Sequence, residues 1–512
     1  MNLAHALAAC GNHDAALQWM RHAHATDPQN PVLEMNLGAI HHGRGELDEA
    51  ASHYARAIER RPDYAEAWLN HGNAALYAGD AAAAVTRFDR ALHSNKQLDR
   101  ALANIVYALN YVPDATPAAI RERAQDWDRR FALPRCAPGP AFADRRPDRK
   151  LRIGYVSPDL ANHPIGHFMI GVLAHHARDR FEAVVYSERA VEDEMSATMK
   201  ETATSWCRTP GLSDAALIER IVSDRIDILV DLAGHTSGNR LRVFTAKPAP
   251  VQLTWMGSVG TTGLAAMDGV IADRFHVPPG QEGSYVEQVF RLPESFVCFE
   301  PPAYAPAVGE APFQRNGFIT FGCFSNPAKI NASLMRSWAA ILQRIPDARL
   351  RLRYRWMDAR ANRQRIEGVF ERHGIESERL IIEGELPHRG LLGAYGGIDI
   401  ALDTWPYSGC ATTLEALWMG CPVITRPEQR FASRHTYSVL ATLGLDDLIA
   451  SDAAAYVEAA ARLATDRATL GNLRSALRDR LANSPLCDPA GFTKSLEAVY
   501  REAWSSRPKS SG

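Results

Sequence analysis

Four polar loops, each directly after a short apolar run, hold the side chains of this chain best suited to chemistry. The first, after LRIGYVS, carries Asp159, Asn162, His163, Pro164, Gly166 and His167. A neutral imidazole at His163 could accept a hydroxyl proton or orient an acceptor, or be a hydrogen-bonded loop residue. His163 and His167 are four apart, but a helical zinc pair needs Glu after the first His; Pro164 stands there, so no metal is expected. The second loop places His235 after IDILVDLAG. The third places Asn326 and Lys329 after FITFGCF, where the lysine could neutralise a departing diphosphate or be an ordinary surface cation.

In the fourth, LDTWPYSGCATTLEALWMG leads into a helix expected to begin near Ala411 or Thr412, whose free N–H groups and positive dipole end suit an anion. Thr412 and Glu415 match the S/T-x-x-E capping box. Equally, the threonine could face phosphate while the carboxylate accepts hydrogen bonds from ribose hydroxyls. Glycine-rich Gly257 to Gly263, with Thr261 and Thr262, could bring backbone N–H groups to a phosphate or sugar, and Arg426, Arg430, Ser433, Arg434 and His435 add polar groups near the fourth loop.

The elements that must position these loops alternate between strand and helix. LRIGYVS, FEAVVYS, IDILVDLAG, VQLTWMG and DGVIAD read as buried strands, with helices after His167 and over Asp214 to Ser223. From Gly317 the alternation restarts with FITFGCF, ARLRLRY, RLIIEGEL, DIALD and PVIT. Two mostly parallel sheets are implied, with ligands at the carboxyl ends of their strands and a cleft between the halves.

The front of the chain repeats every 34 residues: Gly38 with Gly72; Gly11, Gly45 and Gly79; Ala16, Ala50 and Ala84; Met20, Tyr54 and Phe88; Ala23, Ala57 and Ala91, with Pro28 and Pro62 closing two units. That period, with small residues where helices cross, is the tetratricopeptide pattern. Asp63 to Leu92 is the best complete unit, Ala4 falls in the glycine column of an incomplete first unit, and a weaker fourth starts near Leu98. Such an array either recruits an extended peptide or partner, or supports the next domain. A helix over Ala118 to Phe131, holding the one DxD match (Asp126, Asp128), and a Pro/Arg-rich linker from Pro134 to Lys150 follow.

A formal charge of -2 over 512 residues gives no field that favours nucleic acid or an anionic membrane. The eight scattered cysteines, without a CxxC pair, read as reduced thiols. With no leader and no apolar run of about 18 residues, neither export nor membrane insertion is expected, and the expected location is cytoplasmic.

At GYVSPDLANHPIGHFM, DILVDLAGHTSGNR, KPAPVQLTWMGSVGTTGLAAMD, FGCFSNPAKI and LDTWPYSGCATTLEALWMGCPVIT the chain resembles the O-GlcNAc transferase and SPINDLY family. The resemblance implies a tetratricopeptide solenoid followed by an α/β GT-B fold. Expected divisions are repeats at 1–95, a connector and linker at 96–148, and two Rossmann-like halves at 149–312 and 313–505. It implies inverting, metal-independent transfer, without a cofactor, from UDP-GlcNAc or another nucleotide sugar to Ser/Thr hydroxyls of proteins. By resemblance His163 is the catalytic-site histidine, Asn326 and Lys329 contact phosphate, and Ala411 and Thr412 stand at the family's threonine pair. Glu415 stands at its ribose-binding acid, and Cys410 at a nucleotide-sugar position. His167, His235, Thr261 and Thr262 are candidates for the acceptor or sugar side. O-GlcNAc transferases carry His at Cys410, Gln at Asn326 and Asp at Glu415, whereas SPINDLY-type proteins carry Asn and Glu at the last two. The alternatives are therefore a GDP-fucose donor, or a catalytically degenerate repeat scaffold suggested by Cys410 and Ala411.

Overall fold

The computed structural model describes Leu7 and residues 11–139, 141, 144 and 146–506; Ala4 and Cys10 lie outside the described residues. The N-terminal region is helical: α1 (His13–Thr26), α2 (Pro31–Gly43), α3 (Leu47–Arg60), α4 (Ala65–Tyr77), α5 (Ala81–Ser94), α6 (Asp99–Leu109) and α7 (Pro117–Phe131), each packed on the next. The 34-residue columns explain the packing. Tyr54 and Phe88 are buried against Gly38 and Gly72, where a Cβ would lie 2.6 Å and 2.4 Å from those rings. Gly11, Gly45 and Gly79 take φ of 79°, 78° and 78°, the left-handed turn that glycine adopts without steric cost. Replacing Gly72 by Ala should destabilise the α4–α5 pair by about 1–3 kcal/mol, the usual cost of overpacking. Amide hydrogen exchange of these helices would register the loss, and unchanged protection would show that Phe88 has room to move.

Beyond residue 95 the helices continue to pack in sequence, α5 on α6. The expected connector helix is α7, which packs on α6 and buries Trp127 and Phe131. The linker beyond it is pinned to the first sheet domain, where Leu133 N–H donates to Thr245 Oγ1 (2.9 Å) and Cys136 N–H to the Ala246 carbonyl (2.9 Å).

The first half holds β1 (Leu151–Ser157), α8 (Pro164–His175), β2 (Phe181–Ser187), α9 (Glu194–Thr202), β3 (Ser205–Arg208), α10 (Asp214–Ser223), β4 (Ile228–Asp231), α11 (Leu241–Thr245), β5 (Val251–Thr254), β6 (Gly269–Asp273) and β7 (Gln288–Leu292). Its strands form one parallel sheet in the order β3-β2-β1-β4-β5-β6-β7. The second half holds α12 (Pro312–Asn316), β8 (Thr320–Cys323), α13 (Ala332–Arg344), β9 (Arg349–Arg353), α14 (Arg360–Arg372), β10 (Leu380–Glu383), α15 (His388–Ala394), β11 (Ile400–Leu402), α16 (Ala411–Trp418), β12 (Val423–Ile424), α17 (His435–Thr442), α18 (Ala453–Thr465), α19 (Arg467–Ala482) and α20 (Pro489–Ser506). Its parallel order is β10-β9-β8-β11-β12.

In each sheet the strand order reverses once, between β1 and β4 and between β8 and β11. Loops leaving such a switch point diverge and open a crevice at the strand ends. The His163 and His235 loops leave the first switch point, and the Lys329 and Cys410 loops leave the second. The last helix, α20, returns to the first half: Tyr500 Oη lies 3.1 Å from Tyr155 Oη, and His176 Nδ1 lies 2.9 Å from Glu497 Oε1. The array seats on the second half through its turn glycines, since a Cβ at Gly45 would meet Trp356 at 2.3 Å and one at Gly79 would meet Arg365 at 2.4 Å. Asn362 Nδ2 donates to the Tyr77 carbonyl (3.1 Å), and Arg430 donates to the carbonyls of Val112 (2.7 Å) and Pro113 (2.8 Å). No described helix is long and apolar enough to cross a membrane.

Candidate active site in the interdomain cleft

A cavity of about 430 Å³ lies where both switch points face each other, walled by the first-half loop with Asp159 and His163, the second-half residues Asn326, Lys329 and Thr412, and Tyr107 and Tyr111 of the array. Cys410 and Ala411 also border it.

Its second-half end is cationic. Lys329 is a half-buried cation held against the protein: Nζ donates to the Ser408 carbonyl (2.8 Å) and lies 4.1 Å from the centre of the Tyr407 ring. Burial brings its pKa down to about 8, with Asp403 opposing the shift. Asp403 is itself held by Gly409 N–H (2.7 Å) and Thr425 Oγ1 (2.6 Å). Asn326 caps the short turn before Lys329, accepting Ala328 N–H at 3.0 Å. At the start of α16 the N-cap is Cys410, whose side chain makes no capping hydrogen bond and whose thiol burial pushes up to about 12. The first-turn N–H groups of Ala411 and Thr412 therefore stay available for an anion, as at any uncapped helix start.

Of the two readings of Thr412 and Glu415, the capping box does not apply, because Cys410 is the N-cap and Thr412 lies inside the first turn. Glu415 turns instead to α15, where Oε1 accepts from His388 Nε2 (2.9 Å) and His388 Nδ1 accepts from Tyr304 Oη (2.6 Å). Its Oε2 is buried without a hydrogen-bond partner. Such an atom costs stability until a donor reaches it, so an arriving hydroxyl gains more here than at a satisfied site.

At the opposite end His163 is the N-cap of α8, its Nδ1 accepting Ile165 N–H at 3.3 Å. Because Nδ1 is an acceptor, the neutral ring carries its proton on Nε2, which points towards Asp159 Oδ1 at 3.9 Å. Partial desolvation in the cleft, then Arg189, lowers the His163 pKa against the pull of Asp159, although the side chain stays 44% exposed. Burial raises the Asp159 carboxyl. In this state the imidazole presents a donor and the carboxylate the proton acceptor, a division that spacing did not reveal. Tyr111 Oη donates to Tyr107 Oη (2.6 Å), and the Tyr111 ring stacks 4.9 Å from Tyr407, so the array packs against the second-half end of the cleft.

The remaining sequence candidates lie beside the cavity. His167 Nε2 bonds Asn162 Oδ1 (3.0 Å) and its ring lies 5.3 Å from His388, towards the Glu415 side. His235 is buried, with Nε2 2.8 Å from the Thr262 carbonyl and its ring edge-on to Trp127. Thr261 and Thr262 both donate to Glu287 through their hydroxyls, so the glycine-rich loop is tied inward. Among the described residues no group of three or more His, Cys, Asp or Glu side chains is placed to hold a metal.

Two tandem Rossmann-like halves with an anion-ready helix start and a half-buried lysine facing a proton acceptor across their cleft define a GT-B glycosyltransferase. The chain belongs to glycosyl transferase family 41, whose sequence profile matches residues 140–301 and 314–496. It is 38% identical over 408 residues to a tomato (Solanum lycopersicum) protein named "Probable UDP-N-acetylglucosamine--peptide N-acetylglucosaminyltransferase SPINDLY", covering 78% of this chain and 44% of that one. The Arabidopsis thaliana protein of the same name is 36% identical over 408 residues, with the same coverages. This chain thus spans less than half the length of these relatives. A solved structure of a mutant Thermobaculum terrenum O-GlcNAc transferase superposes with a TM-score of 0.91 at 35% identity, covering 98% of this chain and 96% of the other.

Proposed function

We propose that this chain is a protein O-linked N-acetylglucosaminyltransferase that moves GlcNAc from UDP-GlcNAc to Ser/Thr hydroxyls with inversion and without a metal or cofactor. The observation that carries the reading is one cavity with a half-buried ammonium and free helix N–H groups at one end and a carboxylate–imidazole pair at the other. The names of the relatives support the sugar and the acceptor. In the reaction Asp159 takes the acceptor hydroxyl proton while His163 Nε2–H orients the acceptor or sugar. The hydroxyl oxygen bonds the anomeric carbon, the bond from that carbon to the β-phosphate oxygen breaks, and the electron pair leaves with UDP. Lys329 and the N–H groups of Ala411 and Thr412 stabilise the charge that develops there. These N–H groups are backbone, so Cys410 and Ala411 do not remove the anion site, which argues against a degenerate scaffold. A second cavity of about 650 Å³, between array residues Asn70, Asn73 and Asn104 and first-half residues such as Arg240, is the proposed approach for the acceptor polypeptide. The free thiols of the described cysteines support a cytoplasmic setting.

A thermal-shift panel of UDP-GlcNAc, UDP, GDP-fucose and GDP tests the donor, because a ligand of the native state raises the unfolding temperature. Stabilisation by the uridine ligands is expected. Stabilisation by the guanosine pair alone would assign fucose, and no response to any would overturn the reading. Excess chelator should leave transfer unchanged, and a loss restored by a divalent cation would overturn metal independence. Replacing Glu415 by Gln should raise the KM for UDP-GlcNAc by about 10-fold or more with kcat little changed, the value of a charge-assisted hydrogen bond to ribose. A donor lacking ribose hydroxyls should erase that difference, and a fall confined to kcat would remove Glu415 from donor binding.

A further inference from the structure

His435 opens α17 and borders the cleft, yet no step above uses it. Its Nδ1 lies 2.9 Å from His276 Nε2, and His276 Nδ1 lies 2.9 Å and 3.0 Å from the two carboxylate oxygens of Asp273. All three side chains are buried. Asp273 ends β6 in the first half and α17 belongs to the second, so this chain of hydrogen bonds crosses the domain boundary. Asp273 also accepts the N–H groups of Phe275 (2.9 Å), His276 (2.8 Å) and Phe296 (3.0 Å) and the Ser438 hydroxyl (2.7 Å). Phe296 and Phe431, with ring centres 4.2 Å and 4.4 Å from that of His276, close it off from water.

An acceptor so fully engaged is a carboxylate, and it fixes the tautomers above it. His276 carries its proton on Nδ1, so its Nε2 accepts from His435 Nδ1–H. His435 Nε2, which has no protein hydrogen-bond partner among the described residues, is then an acceptor at the cleft wall. One added proton reverses the chain. Arriving at His435 Nε2, it lets the Nδ1 proton pass to His276, where Asp273 balances the charge, and Nε2–H becomes a donor. The other charged or titratable groups near the relay are Lys329, Asp403, Tyr407, Cys410 and Arg434. Burial, then His276 and Lys329, pushes His435 well below the ordinary histidine range.

We propose that Asp273, His276 and His435 form a proton-loading relay for the nucleoside diphosphate, in which ligand binding draws one proton into the relay and His435 Nε2–H donates to a phosphate oxygen. The proposal rests on the nucleotide-sugar reading. His435 is the group that touches the ligand; His276 and Asp273 are positioning residues.

Calorimetric titration of UDP at pH 7, in buffers of differing ionisation enthalpy, counts the protons bound with the nucleotide. At this pH Lys329, titrating at about 8, is mostly charged, and the phosphate's own protonation change is common to all variants. Wild type should take up about one proton more per UDP than His435→Phe or His276→Phe, the linkage expected of a single site. Affinity should fall by about 10-fold in His435→Phe, the value of one charge-assisted hydrogen bond. His435→Gln, whose amide can donate without titrating, should recover affinity but not uptake, and it decides the matter if a phenylalanine variant fails to fold. Equal uptake in wild type and the variants that bind UDP would overturn the relay while leaving nucleotide binding intact. Absence of UDP binding to wild type would overturn the nucleotide-sugar reading and the relay's ligand with it.

Discussion

Replacing Lys329 by Met should lower transfer by about 10²–10³-fold, the usual cost of removing one preorganised group that meets developing charge. The methionine keeps the stem's volume against Tyr407, so folding should change little. The lysine acts as an ammonium, and burial has brought its pKa down to about 8. The charged form is present below that value and lost above it. The kcat/KM for UDP-GlcNAc, which reports the free enzyme, should therefore fall as pH rises through about 8. In kcat the fall should lie higher, because bound diphosphate holds the proton. Steady-state profiles on wild type and the variant check both statements. A methionine variant with wild-type transfer would remove Lys329 from leaving-group stabilisation.

Replacing Asp159 by Asn should lower kcat by about 10²–10⁴-fold, the range for a positioned general base, with UDP affinity nearly unchanged. Because burial raises this carboxyl, the acidic fall of kcat/KM should lie above the ordinary aspartate range, with activity present above its pKa and lost below. His163→Gln, which keeps a donor near Nε2, should lose less than Asp159→Asn. If it loses more, the imidazole is the base and the Ile165 N–H contact is broken during turnover.

What was legible in the sequence was what neighbours along the chain dictate. LRIGYVS and FEAVVYS are β1 and β2 because continuous apolar runs suit central parallel strands, and the 34-residue columns gave the array because one local packing motif recurs. The edge strands were not legible: SWCR (β3) is mostly half-exposed and QVFRL (β7) begins at an exposed Gln288, so neither shows a buried run. The partner of Glu415 was not legible either, because His388, 27 residues before it, meets its carboxylate only in the folded chain. Tyr107 and Tyr111 look like repeat-core aromatics until the second half folds against them, and His276 and His435 meet across 159 residues and two domains. No pattern within one element encodes such a meeting, although His435 did stand among polar residues already singled out beside the fourth loop.

The most direct test of the central claim is a mass-spectrometric transfer assay, in which the purified chain is incubated with UDP-GlcNAc and a library of Ser/Thr-containing peptides. Peptides should gain one N-acetylhexosamine on a hydroxyl, with UDP released in equal amount and both signals lost in the Lys329→Met variant. Modification that persists undiminished in that variant, or a library unmodified by UDP-GlcNAc but fucosylated from GDP-fucose, would contradict the account.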